Sequence, residues 1–202
     1  MSTFLGAASL LEPADISREA VQSGAVLFLE GYLFDRDEAK AAFKIASKYA
    51  HEAGRKVSLT LSDSFCVDRH REDFLDLILN DIDVLFCNEF ELQSLYQTSY
   101  EEALEQLRND CEFGAVTRDK RGSVVINGHD LVHIEPEPVD WVIDATGAGD
   151  QYAAGFLYGF TRGMAIEHCG RLGSMSASEV ITHVGPRPLV QLSTLIPEHL
   201  RS

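Results

Sequence analysis

The feature that most restricts the fold of this chain is the regular alternation of short apolar runs with segments of helical periodicity. Residues 25–29 are predicted as a buried strand, residues 37–53 as an amphipathic helix that closes at Gly54, and residues 56–61 as the next strand. The two strands are joined by a helix rather than by a tight turn, so they are not a hairpin. This order predicts an α/β fold with a parallel sheet and crossover helices.

The same alternation continues toward the C-terminus. The chain has 202 residues, of which 45% are hydrophobic, so it can bury one substantial core, and we expect a single α/β domain over residues 1–202. The further predictions are an edge strand or hairpin arm at 3–11, a short helix at 74–79, strands at 84–87 and 114–117, and helices at 100–108 and 164–182. A hairpin is predicted to pair 123–126 with 131–134 across Asn127-Gly128.

The stretch 139–163 gives the first indication of function. It is predicted to begin as a short apolar strand at 141–143, to turn at Gly147, Ala148 and Gly149, and to continue as a helix with Asp150 in its first turn. A glycine turn at a helix start directs several backbone N–H groups and the positive end of the helix dipole at one point. Such an arrangement favours the binding of a phosphate oxygen at that point.

Two interpretations of Asp150 follow from the residues alone. It can be a helix cap beside glycines that allow a tight turn. It can also be a carboxylate that takes the proton of an alcohol as this alcohol attacks a phosphoryl group, while the amides hold the charge. Composition does not choose between them.

The run DATGAGD at 144–150, continued by Ala153, Ala154 and Gly155, resembles the C-terminal signature of the PfkB (ribokinase-like) carbohydrate kinases, in particular that of adenosine kinase-like members. The resemblance implies a three-layer α/β/α fold with a mostly parallel sheet. It also implies that Asp150 is the catalytic base and that the amides of Gly147, Ala148, Gly149 and Asp150 form an anion hole for the transferred phosphoryl group.

Asn88 and Glu91 follow the predicted strand at 84–87 and lie three residues apart at a helix start. An amide oxygen and a carboxylate on one helical face could reach the same hydrated Mg²⁺, but the same pair is also close to a capping box. The family carries an NxxE motif at this point, whose residues organise metal and phosphates. The resemblance therefore implies that Asn88 and Glu91 serve Mg²⁺.

The segment VTRDKRGSV at 116–124 resembles the family segment that borders the nucleotide. The resemblance implies that Thr117 and Gly122 contact ATP, with Arg118 as a further candidate. The alternative is that the basic residues of this loop are solvated surface charge.

A monovalent cation site is implied only by the resemblance. In the family, the aspartate and threonine that match Asp144 and Thr146, together with carbonyls that match Val180 and Gly185, support such an ion, so K⁺ is an additional cofactor by analogy. The alternative for Asp144 is an ordinary turn residue.

The charge balance excludes several classes of partner. There are 17 basic and 32 acidic residues, and the net charge of −15 opposes binding to nucleic acid or to an anionic membrane. It also opposes ATP, which must be held by local donors and a divalent metal. The four cysteines form no CxxC pair, no GxGxxG motif indicates NAD binding, and the N-terminus has no secretory pattern, so we expect a cytoplasmic protein with reduced thiols.

The resemblance covers essentially all 202 residues, which correspond to the C-terminal two thirds or so of an ordinary family member. The N-terminal third and most of the lid, which supply the residues that grip the sugar, are expected to be missing. The sequence therefore predicts ATP-dependent phosphotransfer to a hydroxymethyl group of a nucleoside or sugar, with little turnover by this chain alone. The alternative is a non-catalytic nucleotide-binding or assembly protein that retains the fold, and a homodimer is compatible with either.

Overall fold

The computed structural model describes residues 4–198 and divides into two compact units, Met1–Gly114 and Ala115–Ser202. The strands among these described residues follow one another in the sheet in the order of the sequence. The predicted α/β class with a mostly parallel sheet is confirmed.

The first unit contains the parallel strands and crossover helices that the alternating pattern predicts. Val26 pairs with Lys56 and Ser58 with Val84, which sets the parallel register of the first three strands. The elements are α1 Arg18–Ser23, β1 Val26–Glu30, α2 Asp37–Glu52, β2 Lys56–Thr60, α3 Ser64–Asn80, β3 Val84–Asn88, α4 Glu89–Tyr96 and α5 Tyr100–Asp110.

Burial explains why β3 is apolar over most of its length. The first four residues of β3 are buried, which is typical of a parallel strand covered on both faces. The small residues of α2 pack against β1 and β2, and the rings of Phe34 and Phe74 stack with centroids 4.3 Å apart. Gly31 lies so close to β2 that a Cβ there would be 2.7 Å from the Thr60 carbonyl oxygen.

The second unit is built from a hairpin and two packed helices. Strand β4, Phe113–Thr117, begins before the unit boundary; it is followed by β5 Ser123–Asn127, β6 Asp130–Ile134, α6 Ala148–Phe160 and α7 Ile166–Val180. The predicted hairpin is confirmed, with Asn127 opposite Asp130. Helices α6 and α7 touch at Gly155, where a Cβ would lie 2.3 Å from the Leu172 carbonyl oxygen, so only glycine permits this approach.

Two predicted strands are wrong. The segment 3–11 contains a 3₁₀ helix at Gly6–Leu10, and its first residue, Thr3, lies outside the described residues. The run 141–143 forms no strand of the sheet. Its side chains are exposed, Trp141 by 80%, and the Ile143 N–H donates to the Ile181 carbonyl at 2.8 Å. An apolar run becomes a strand only where a neighbouring strand offers its hydrogen bonds.

Among residues 4–198, no helix has both the length and the apolar character needed to cross a membrane.

Candidate active site

The start of α6 has the geometry that the glycine turn predicts. Gly147 occupies the N-cap position with a φ of 81°, and no side chain caps the helix. A Cβ at Gly147 would lie 2.6 Å from the Pro186 Cβ, so this position requires glycine for both its conformation and its packing. The turn is therefore a fixed feature of the second unit.

The amides of this turn differ in availability. The Ala148 N–H donates to the Ala145 carbonyl at 3.2 Å, within the turn itself. The N–H groups of Gly149 and Asp150 belong to the first helical turn, where helix geometry supplies no acceptor. Without a capping side chain, these two amides are the donors that the helix start offers to an anion.

Asp150 stands at the third position of α6, beside these amides. Gly147 is the N-cap residue of α6, and no side chain accepts a hydrogen bond from the first amides of this helix. The interpretation of Asp150 as the helix cap is therefore wrong. Its side chain keeps an exposed face, yet partial desolvation raises the pKa of Asp150. A carboxylate with a raised pKa is a better proton acceptor than an ordinary one.

Asp144 ties this turn to the loop that follows α7. One carboxylate oxygen accepts the Thr146 N–H at 2.9 Å and the other accepts the Gly185 N–H at 3.0 Å. Hydrogen bonds from the Thr146 side chain and from the amides of Gly185 and Thr146 lower the pKa of Asp144 to about 2. The structure thus brings together three of the four residues assigned to a monovalent cation.

Val180, the fourth residue of that set, is the last residue of α7 and is fully buried. The carbonyl of its neighbour Ile181 accepts the N–H groups of Ile143 and Asp144 at 2.8 and 3.4 Å. The end of α7 is therefore joined to the same turn.

The loop between β4 and β5 carries the three residues assigned to the nucleotide. The Arg118 N–H donates to the Gly122 carbonyl at 2.8 Å and closes the loop, while Thr117 ends β4. Gly122 has a φ of 76°, and a Cβ there would lie 2.0 Å from the Ile134 carbonyl oxygen. The hairpin requires this glycine, whatever the loop binds.

Asn88 and Glu91 in the first unit form the capping box that was the alternative to a metal role. The Asn88 side-chain oxygen accepts the N–H groups of Phe90 and Glu91, both at 2.9 Å. The Glu91 carboxylate accepts the backbone N–H of Asn88 at 2.9 Å and its side-chain amide at 2.7 Å. Both side chains therefore serve helix α4.

The surroundings of Glu91 are compatible with a nearby cation. Glu91 is only 6% exposed, and burial raises its pKa to about 7. The hydrogen bond from the Asn88 backbone amide opposes this rise, and the neighbouring charges of Asp63 and Glu30 add smaller upward contributions. No group of three or more potential metal-ligating His, Cys, Asp or Glu side chains occurs in the described part of the chain. Because Asn88 and Glu91 bond to each other, a Mg²⁺ ion near them would be held mainly by phosphate oxygens and water, with the pair outside its first coordination sphere.

Some contacts of these sites were not expected from the sequence. Ser62 has a φ of 73°, donates its hydroxyl to Glu30 and accepts the Tyr32 N–H at 3.2 Å, and so orders the ends of β1 and β2. Pro186 covers Gly147, and the Gln151 side chain donates to the Pro186 carbonyl at 3.4 Å. The Gly-Pro pair at 185–186 is a turn signal, but only the fold shows which turn it contacts.

The family model for "pfkB family carbohydrate kinase" matches residues 1–192. The chain belongs to the pfkB family of carbohydrate kinases. Adenosine kinase from Sinorhizobium meliloti is 44% identical, with a TM-score of 0.90 over 93% of this chain and 58% of that one. A probable sugar kinase from Rhizobium etli gives the same identity and TM-score, over 93% of this chain and 57% of that one.

Other pfkB relatives carry different substrate names. The cytidine kinase of Thermococcus kodakarensis is 32% identical over 65% of this chain and 49% of its own length, and an uncharacterized sugar kinase of Archaeoglobus fulgidus is 35% identical over 56% and 45%. The chain spans about half the length of these curated relatives. A putative ribokinase II from E. coli, whose structure contains ATP and Mg²⁺, shares the fold. Its TM-score is 0.83 at 17% identity, over 92% of this chain and 62% of that one.

Proposed function

We propose that this pfkB chain carries the phosphoryl-transfer part of an ATP-dependent kinase that acts on a hydroxymethyl group of a nucleoside or sugar. The observation that carries the proposal is the uncapped start of α6, with glycine in the left-handed conformation before it and Asp150 in its first turn. Relatives with the names adenosine kinase and cytidine kinase favour a nucleoside among the acceptors.

In this proposal Asp150 takes the proton of the acceptor hydroxyl. The acceptor oxygen then forms a bond to the terminal phosphorus of ATP, and the bond from that phosphorus to the oxygen of the ADP leaving group breaks. The amides of Gly149 and Asp150 stabilise the charge that spreads over the transferred group, whereas the Ala148 N–H, also assigned to this anion hole, is bonded to the Ala145 carbonyl. The raised pKa of Asp150 supports its role as the base.

The residues of the first unit have a supporting role in this proposal. A bound Mg²⁺ would offset the negative charge of the nucleotide phosphates, which a chain of net charge −15 otherwise repels. Asn88 and Glu91 would orient the water shell of that ion, and Thr117, Gly122 and Arg118 would border the nucleotide. Asp144, Thr146, Val180 and Gly185 would support a monovalent cation, by analogy with the family.

The test is Asp150→Asn, made in this chain and in the longest natural reading frame that contains it. Asparagine keeps the size of the side chain but cannot accept the proton, so we expect turnover to fall by about 10³-fold or more. Binding of ATP with Mg²⁺, measured by calorimetry, should stay within about twofold of wild type. The acceptors are adenosine, cytidine and ribose.

Two outcomes would contradict this proposal. Unchanged turnover of Asp150→Asn would remove Asp150 as the base. Tight binding of ATP without phosphotransfer to any acceptor, in the longer reading frame as well, would favour a nucleotide-binding protein that retains only the fold.

A further inference from the structure

The loop at 183–189, which follows α7, packs directly on the turn before α6. Pro186 occupies the space beside Gly147 that a Cβ would need, and the Gly185 N–H reaches the Asp144 carboxylate at 3.0 Å. The same carboxylate holds the Thr146 N–H at 2.9 Å. The position of this loop therefore determines the shape of the turn that presents the amides of α6.

A single carboxylate, with little of its side chain exposed, holds both ends of this loop. Glu179 lies in the last turn of α7 with its side chain 10% exposed. One oxygen accepts the Leu189 N–H at 2.9 Å, and the other lies 3.4 Å from His183 Nε2. A carboxylate that is largely withdrawn from water needs such partners, because its desolvation is otherwise costly. Glu179 thus closes the loop at its first and its last residue.

We propose that Glu179 is a positioning residue for the anion site at the start of α6. Its carboxylate fixes the loop at 183–189, the loop places Pro186 against Gly147 and Gly185 against Asp144, and these contacts hold the amides of Gly149 and Asp150 in a fixed direction. Glu179 itself contacts neither the phosphate nor the acceptor. This inference rests on the proposed function for the role of the site, but its structural part can be tested independently.

The test compares Glu179→Ala and Glu179→Gln with Glu167→Gln, an exposed residue at the other end of the same helix. Alanine removes both contacts of the carboxylate, whereas glutamine can still accept the Leu189 N–H. Amide hydrogen exchange at Thr146 and Gly185 is measured by NMR, with the buried Ile126 in β5 as an internal reference. Calorimetry measures the binding of ATP with Mg²⁺.

In Glu179→Ala we expect exchange at Thr146 and Gly185 to accelerate by about tenfold or more, with Ile126 unchanged, because the loop no longer holds the turn. The Kd for ATP with Mg²⁺ should rise by about tenfold. Glu179→Gln should show a smaller effect, about threefold in exchange. Glu167→Gln should match wild type in both measurements.

The inference is overturned if Glu179→Ala accelerates exchange at Leu189 but leaves Thr146 and Gly185 unchanged, since the loop would then not act on the turn. If wild type binds no ATP, the proposed function fails, and exchange alone decides the structural part of the inference. If Glu179→Ala does not fold, Glu179→Gln decides it: faster exchange at Gly185 supports the inference, and unchanged exchange overturns it.

Discussion

The two compact units use polar residues at helix starts in opposite ways. In the first unit, α4 begins with a closed capping box, in which Asn88 and Glu91 satisfy each other and the first amides of the helix. In the second unit, α6 begins after Gly147 with no side-chain cap, although Thr146 lies next to this turn. A side-chain cap stabilises its helix by accepting hydrogen bonds from the first backbone N–H groups. Where such a cap is absent, these N–H groups can donate to a ligand.

The two units also differ in their distribution of acidic residues. Most of the acidic residues lie in the first unit, and their proximity contributes to the raised pKa of Glu91. Desolvation alone accounts for the raised pKa of Asp150 in the second unit. We infer that the second unit supplies the phosphate contacts and that the first contributes mainly stability and, through Glu91, sensitivity to pH and cations.

The largest expected effect concerns Glu91. Its folded-state pKa of about 7 lies above the ordinary value of 4.5, so the folded state binds a proton more tightly than the unfolded state. The stability that this group contributes is fully present below pH 4.5 and is lost as pH rises through 7. Urea unfolding of wild type should show a loss of up to about 3 kcal/mol from this group between pH 4.5 and 8.

Glu91→Gln should remove this part of the pH dependence, because glutamine does not titrate. The same change at the exposed Glu101 of α5 should leave the wild-type pH dependence in place. Equal pH profiles for wild type and Glu91→Gln would show that Glu91 does not titrate in this range. The first unit would then not owe its pH dependence to Glu91.

The next effect concerns the uncapped turn of the second unit. Gly147→Ala adds a Cβ that meets Pro186 and disfavours the left-handed conformation, so the amides should turn away from their present direction. We expect ATP with Mg²⁺ to bind about 30-fold more weakly in calorimetry, which corresponds to the loss of about one charge-assisted hydrogen bond.

Gly54→Ala is the matched control for this substitution. Gly54 also has a positive φ, of 66°, but no atom lies within 4 Å of its added Cβ. It should lose about 1 kcal/mol of stability and keep its affinity for ATP. Equal affinities in both variants would argue against an anion site at the start of α6.

The smallest effect concerns the capping box of the first unit. Asn88→Ala removes the acceptor of two amides and should lower the free energy of unfolding by about 1 kcal/mol. Asn109→Ala, at an exposed asparagine of α5, should stay within about 0.5 kcal/mol of wild type. If Asn88→Ala also loses the increase in ATP affinity that Mg²⁺ provides, the pair serves the metal as well as the cap. Otherwise its role is confined to the helix.

Much of the fold could be predicted because its signals are local. The periodicity of residues 37–53 predicted α2, and the Asn-Gly pair at 127–128 predicted the hairpin of β5 and β6. The turn at Gly147 and the helix from Ala148 followed in the same way from a glycine pattern before an apolar face. The strand predicted at 141–143 was wrong, because an apolar run pairs only if another strand lies beside it. The sequence of the run does not show whether such a strand is present.

The sequence by itself determined the family, the alternation of parallel strands with crossover helices, and the placement of Asp150 in the first turn of a helix, since each depends on residues close together in the chain. Only the tertiary structure decided that Asn88 and Glu91 close on each other, that Pro186 packs on Gly147, and that Glu179 holds the loop beside them. These contacts join segments far apart in the sequence or choose among partners that are equally near. Their energies depend on burial and direction, which become defined only when the chain has folded.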